Sequence, residues 1–226
     1  MKTKILIAII VIAVIIIVGV LIYVATNQNE GIVTTIKDSR NQNNQEIREE
    51  NKMNNEKKEY LSGKYKVEIE VKDLGVIALE LDADIAPITV TNFVKLVKEG
   101  FYNGLTFHRI IDGFMIQGGD PLGTGMGGSS EKIKGEFIAN GVANSISHVR
   151  GVISMARSMA YDSASSQFFI VHEDSTFLDG QYASFGKVTS GMEIVDEIAK
   201  NTKVEDNNGT VLKENQPVIK EIRIVE

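Results

Sequence analysis

Apolar and polar residues alternate twice in quick succession after residue 63. Tyr65, Val67, Ile69 and Val71 are separated by single polar positions, and Ile77, Leu79 and Leu81 repeat the pattern beyond Asp73-Leu74-Gly75. A period of two sends successive side chains to opposite faces of a strand, so the two runs predict a β-hairpin. The period then changes. Val90, Phe93, Val94 and Val97 fall at i, i+3, i+4 and i+7 behind Pro87. That is one apolar face of a helix, with proline in its first turn and Gly100 as its C-terminal cap. Short β-like runs follow at residues 106–110, 115–117, 152–155, 168–171 and 184–188, punctuated by glycines. Ile194, Val195 and Ile198 share the face of a second helix over residues 192–200. Residues 218–225, with Ile219, Ile222 and Ile224, read as a closing strand. Many short strands and two helices far apart in sequence predict a mainly β domain, a closed or nearly closed antiparallel barrel capped by two α-helices.

The chain before this domain follows other rules. Lys2 and Lys4 precede an uncharged, Ile/Val-rich run over residues 5–25. About 20 apolar residues span a bilayer as a helix. A cleavable signal peptide has a shorter apolar core and small residues before the cut, whereas a cut after Ala25 would place Tyr23 at the −3 position. Residues 1–26 are therefore predicted to be an uncleaved transmembrane signal anchor. Lys2 and Lys4 would stay in the cytoplasm, and the rest of the chain would lie outside it. Residues 27–62 are polar and Asn/Gln-rich, as in the stretch from Asn41 to Gln45. Such a segment buries too little apolar surface to fold alone and is read as a stalk. Residues 63–226 are the folded domain.

Composition removes several functions. The 226-residue chain has a formal charge of −6 and no basic block, so a nucleic-acid role has no bulk electrostatic support. There is no cysteine, which excludes disulfides, thiolate zinc sites and a cysteine nucleophile. The three histidines, His108, His148 and His172, lack a zinc-ligand spacing. Twenty glycines against three prolines suit a compact domain with many tight turns.

Candidate chemistry concentrates in residues 104–120, GLTFHRIIDGFMIQGGD. One arginine, one glutamine and several bulky apolar groups lie within a few positions. An apolar pocket with one fixed cationic donor suits a reaction that needs polarisation but no nucleophile, such as rotation about an X–Pro amide. The segment resembles the signature of the cyclophilin family of peptidyl-prolyl isomerases. The resemblance extends over about residues 64–226 through GVISMAR at 151–157, SASSQFFI at 163–170, FLDG at 177–180 and FGKV at 185–188. It implies an eight-stranded barrel capped by two helices, an active site on the barrel's outer face and no cofactor.

By position, the resemblance implies that Arg109 is the catalytic arginine, in a motif where Phe107 and His108 precede it. Phe114, Met115, Phe169 and Leu178 would wall the proline pocket. Gln117 would orient Arg109 and meet the substrate backbone. Ala156 and Arg157 would pair with the bound peptide. Three positions depart from many eukaryotic members. Arg157 replaces Asn, Phe177 replaces Trp and Tyr182 replaces His, each at the groove. The second implies weakened cyclosporin binding more than altered catalysis. The implied partners are proline-containing, unfolded or flexible polypeptides, with the membrane contacted through the N-terminal helix.

The chemistry is coherent. The amide resists rotation by about 18–20 kcal/mol because nitrogen shares its lone pair with the carbonyl. In the twisted state that sharing is lost, and nitrogen becomes a hydrogen-bond acceptor. A donor that meets it only then stabilises the transition state selectively, and a rigid guanidinium fork suits the role. No proton moves, so His108 has no acid–base work and is expected in a structural or pocket-edge role. A Ser/His/Asp hydrolase can be drawn from His108, Asp120 and a serine, but no nucleophile elbow is present. Gly123, Gly125 and Gly128 match a dinucleotide-loop spacing without the required strand and helix, and read as a pocket rim. Phe168 and Phe185 read as core. The competing classes are a non-catalytic proline-peptide-binding module and a surface interaction protein using the stalk.

Overall fold

The structure is a computed structural model and describes residues 60–225. The predicted anchor and most of the predicted stalk lie outside these residues. Among the described residues no helix is long and apolar enough to cross a membrane. Tyr60–Glu226 forms one compact unit.

The predicted hairpin is present. β1 (Lys64–Val71) pairs antiparallel with β2 (Gly75–Asp82), from Lys64 opposite Asp82 to Val71 opposite Gly75. Its turn places Asp73 at φ 63°, which a short polar side chain tolerates better than a branched one. Val67, Ile69, Val71, Ile77, Leu79 and Leu81 are buried, as the alternation requires. The helix α1 (Pro87–Lys98) buries Val90, Phe93, Val94 and Val97. Ala86 at its N-cap offers no side-chain acceptor. The buried Glu136 supplies one, accepting from the Ile88 and Thr89 amides at 3.0 and 2.8 Å and from the Thr89 hydroxyl at 2.6 Å. A carboxylate at a helix N-terminus satisfies both free amides and the helix dipole.

Six further strands follow: β3 (Thr106–Ile111), β4 (Met115–Asp120), β5 (Val152–Met155), β6 (Phe168–Val171), β7 (Ser184–Ser190) and β8 (Ile219–Val225), with α2 (Met192–Asn201) between the last two. All pair antiparallel in the order β3-β4-β6-β5-β7-β2-β1-β8. Ile219 and Ile222 are both buried although three apart, because a bulge at Lys220 shifts the β8 register against β1.

The expected closed barrel is corrected here: the sheet curls but stays open between β3 and β8. Among the described residues one bridge, Thr106 to Val218, joins the edges, helped by Phe107 N–H to Pro217 O at 3.0 Å and Ile219 N–H to Leu105 O at 2.8 Å. Beyond that point the β3 edge is taken by another segment. Ile110 N–H donates to Gly209 O at 2.8 Å, and Val211 N–H to His108 O at 3.1 Å. A loop thus occupies the seam that β8 would need for closure.

The two sheet faces build two clusters. Phe93, Tyr102, Phe107, Phe168 and Phe185 lie in the main core; Phe93 and Phe107 meet Phe168 edge-on at 5.6 and 6.2 Å. Met115, Val152, Phe169, Val171 and Leu178 form a smaller cluster. Ile116 and Phe168 are in the first while Met115 and Phe169 are in the second, so the strand period separates core from site.

Candidate active site

Register builds the site before any loop does. Arg109 on β3 is opposite Gln117 on β4, and Gln117 is opposite Phe169 on β6. The three form a cross-strand row on the face away from the core. Nine predicted residues, Arg109, Phe114, Met115, Gln117, Ala156, Arg157, Phe169, Leu178 and Tyr182, line one cavity of about 220 Å³. Leu178 comes from the short 3₁₀ turn Thr176–Leu178.

Three predicted contacts are placed differently. Phe107 is fully buried in the core, so its ring does not face a substrate. His108 is also buried, and neither ring nitrogen has a hydrogen-bond partner among the described residues. Period two would put Phe107 on the same face as Arg109. An irregularity in the β3–β4 pairing between Phe107 and Arg109 breaks the alternation, turning Phe107 inward while Arg109 faces out. Phe177 does not line the cavity. It is 68 % exposed and tilts against Phe114 with ring centroids 5.6 Å apart, at the rim.

Arg109 is held from two sides. Its Nη1 donates to Gln117 Oε1 at 3.3 Å. Its Nε donates to Asn208 O at 2.9 Å and its Nη2 to Asn208 Oδ1 at 3.2 Å. Burial lowers the guanidinium pKa from its usual value, with Tyr182 and Asp206 acting in the opposite sense. The group stays cationic. Gln117 Nε2 in turn donates to Gln167 Oε1 at 2.9 Å, and Gln167 Nε2 donates to Gly125 O and Gly127 O at 3.0 and 2.7 Å. A chain of polar contacts therefore runs from Asn208 through Arg109 and both glutamines to the glycine loop. Sequence reasoning assigned no role to Asn208 or Gln167. The only local signal for Asn208 is the Asn-Asn-Gly turn, which says nothing about the arginine.

Arg157 turns its guanidinium into an aromatic cage, 4.6 Å from the Tyr182 ring centroid and 5.1 Å from those of Phe137 and Tyr161. Its Nε and Nη2 donate to Gln181 O at 3.0 and 2.9 Å, and its Nη1 to Ser158 O at 2.9 Å. The side chain ties together two loops and forms a ridge between the 220 Å³ cavity and a second one of about 420 Å³. The second cavity is lined by Gly125, Met126, Gly127, Gly128 and several serines. The glycine loop is therefore a rim, as expected from the sequence. Its anchor is the buried Asp120, which accepts from the Leu122, Thr124 and Gly125 amides at 2.8, 3.0 and 2.6 Å. Burial pushes the Asp120 carboxyl up, but these amides and that of Gly127 outweigh it and hold it below the usual range.

Serine–histidine–aspartate geometry occurs at residues other than those drawn from the sequence. His148 Nδ1 meets Asp179 Oδ1 at 2.8 Å and its Nε2 meets Ser154 Oγ at 2.9 Å. Ser154 and His148 are fully buried, so no substrate reaches the hydroxyl. Burial lowers the His148 pKa against the pull of Asp179, which keeps the ring neutral. A neutral ring with its Nδ1 proton on Asp179 accepts from Ser154. The ring stacks on Phe169 at 6.0 Å and 16°. The trio ties β5 to the turn carrying Leu178, beneath the pocket. Among the described residues no cluster of His, Asp and Glu could hold a metal ion.

Comparison with known proteins agrees with this geometry. The family model for cyclophilin type peptidyl-prolyl cis-trans isomerase/CLD matches residues 66–226. Peptidyl-prolyl cis-trans isomerase B of Bacillus subtilis is 49% identical over 144 residues, covering 64% of this chain and 92% of that protein. A peptidyl-prolyl cis-trans isomerase of Helicobacter pylori is 50% identical over 133 residues, covering 58% and 78%. A crystal structure of a Cryptosporidium parvum cyclophilin type peptidyl-prolyl cis-trans isomerase superposes with a TM-score of 0.64 at 30% identity, covering 73% of this chain and 99% of that one. The same protein in the presence of the dipeptide Ala-Pro gives 0.63 at 32% identity, covering 71% and 99%.

Proposed function

The chain belongs to the cyclophilin-type peptidyl-prolyl cis-trans isomerase family, and from that premise we propose that it accelerates rotation about X–Pro bonds with Arg109 as the transition-state donor. The observation that carries this reading is the position of Arg109. Its guanidinium is clamped by Gln117 and Asn208 at the edge of a cavity walled by Phe114, Met115, Phe169 and Leu178. The cavity suits a proline ring, and the related C. parvum protein has been solved in the presence of Ala-Pro.

The proline ring enters the apolar cavity, and the preceding residue and its carbonyl turn relative to the held ring. As the amide twists, its nitrogen becomes pyramidal and gains acceptor character. Arg109 meets that lone pair, while Gln117 holds the guanidinium in plane. Because the clamp exists beforehand, little reorganisation is needed at the barrier. The substrates are exposed X–Pro bonds of unfolded or flexible polypeptides. The Ile/Val-rich residues 5–25 support an uncleaved anchor with Lys2 and Lys4 in the cytoplasm, and hence action on folding proteins outside it.

The test is isomerisation of a proline tetrapeptide by the full chain beside Arg109→Ala. The expected loss in kcat/KM is on the order of 100-fold or more, carried mostly by kcat. Full activity in the variant would overturn the role of Arg109. Proline-peptide binding without turnover in the parent protein would favour a binding module instead. Carbonate extraction of membranes, with and without residues 1–26, checks the anchor; release of the full chain would overturn it.

A further inference from the structure

Phe114 is carried by the turn between β3 and β4, and a side chain from beyond β6 holds the backbone of that turn. Gly113, at φ 76°, donates its amide to Nδ1 of His172 at 3.0 Å. His172 lies just beyond β6 and its side chain is buried. Its backbone N–H donates to Phe114 O at 2.8 Å, so the same residue holds the turn from both sides of the Gly113–Phe114 peptide.

The tautomer follows from the partners. Nε2 is 3.0 Å from Asp196 Oδ1 on α2, and a carboxylate only accepts, so Nε2 carries the proton and Nδ1 offers its lone pair to Gly113. Asp196 is itself fixed by Arg150, whose Nη2 reaches both carboxylate oxygens at 2.7 and 2.8 Å and whose Nη1 donates to His172 O at 2.7 Å. The other charged groups around the ring are Asp112 of the turn, 3.5 Å from Nδ1, Glu173, 3.6 Å from Arg150, and Asp174, which accepts from the Arg150 amide at 2.8 Å.

A second proton on this ring changes the geometry as well as the charge. Nδ1 becomes a donor and confronts the Gly113 N–H, which loses this acceptor. The Asp112 carboxylate is the nearest acceptor for the new N–H. The turn then rearranges about the remaining bond to Phe114 O and moves the ring that closes the proline pocket. We propose that His172 is the positioning residue of the Phe114 turn, and that its Nδ1 acceptor makes the pocket acid-sensitive. The proposal rests on the isomerase reading of that pocket, but its structural half does not require turnover.

The full chain, His172→Asn and His172→Ala are compared between about pH 8 and about pH 5. Tetrapeptide isomerisation gives KM and kcat separately, and NMR follows the Gly113 amide and the Phe114 ring. Asparagine places a non-titrating Oδ1 near the position of Nδ1. In the parent protein KM is expected to rise roughly three- to tenfold toward low pH, about one hydrogen bond's worth, with kcat changed less than twofold and the Gly113 amide moving over the same step. His172→Asn keeps the pH 8 values and loses both steps. His172→Ala shows the raised KM at every pH. A KM step that survives in His172→Asn, or a Gly113 amide that does not titrate in the parent protein, overturns the proposal. Titration of Gly113 in a protein with no turnover supports the His172 assignment and removes the isomerase reading.

Discussion

Two cavities share the ridge of Gln117, Ala156 and Arg157, yet they are built in opposite ways. The smaller is lined by the strand residues Arg109, Met115, Gln117 and Phe169 and by the rings of Phe114 and Tyr182, with the caged Arg157 on the shared ridge. The larger is lined by glycine backbone and serine hydroxyls. Its loop keeps its shape through the Asp120 carboxylate and the Gln167 amide. The first is set by sheet register, which moves little, and suits one ring of fixed size. The second is set by hydrogen bonds to backbone and presents polar groups to whatever flanks that ring. On the proposed isomerase reading, the bond-turning groups sit mainly on the sheet and variable recognition sits on the loop.

The comparison can be broken at several points. Arg109→Ala removes the cation clamped by Gln117 and Asn208 from the smaller cavity and carries the largest effect, as stated above. Phe114→Ala opens that cavity's wall and is expected to raise KM about tenfold, with the midpoint of urea unfolding little changed, because Phe114 is only half-buried. An unchanged KM would mean the ring is not held there. Asp120→Asn attacks the larger cavity. It should cost about 2 kcal/mol in unfolding free energy while kcat/KM for a tetrapeptide changes only a few-fold; a collapse of kcat would show that the two cavities are not separable. The pH dependence sharpens the same point. The Asp120 carboxyl is held below its usual range, so it stabilises the folded state above about pH 3.9, and this contribution is lost as pH falls through the folded-state value. Asp120→Asn should therefore flatten acid unfolding in that window. Arg157→Ala removes the ridge cation from its cage and is expected to raise KM about threefold without changing kcat. A larger effect on kcat would mean that Arg157 reaches the reacting bond.

Legibility in the sequence followed the same division. The periods of two and 3.6 located the hairpin and both helices. The motif resemblance brought nine residues to one cavity. Phe107 was placed at the groove although it lies in the core, because an irregularity in the β3–β4 pairing has no signature in residue type; the buried His108 takes the structural side of its two expected roles rather than the substrate contact. Barrel closure was misjudged because the β3 edge pairs with residues 209–211, a loop about 100 positions away whose affinity for that edge lies in its backbone.

What the sequence by itself determined, then, is whatever repeats along the chain: which face of each strand is apolar, where helices begin, and the motif that marks the chemistry. Side-chain period is a local property, fixed by backbone geometry over a few residues. The tertiary structure alone decided which groups hold the site in place. Glu136 caps a helix about 50 positions away, Asn208 clamps Arg109 across the open seam, and His172 supports the turn of Phe114. A hydrogen bond is satisfied by any donor or acceptor that the fold brings near, so its partner leaves no period to read.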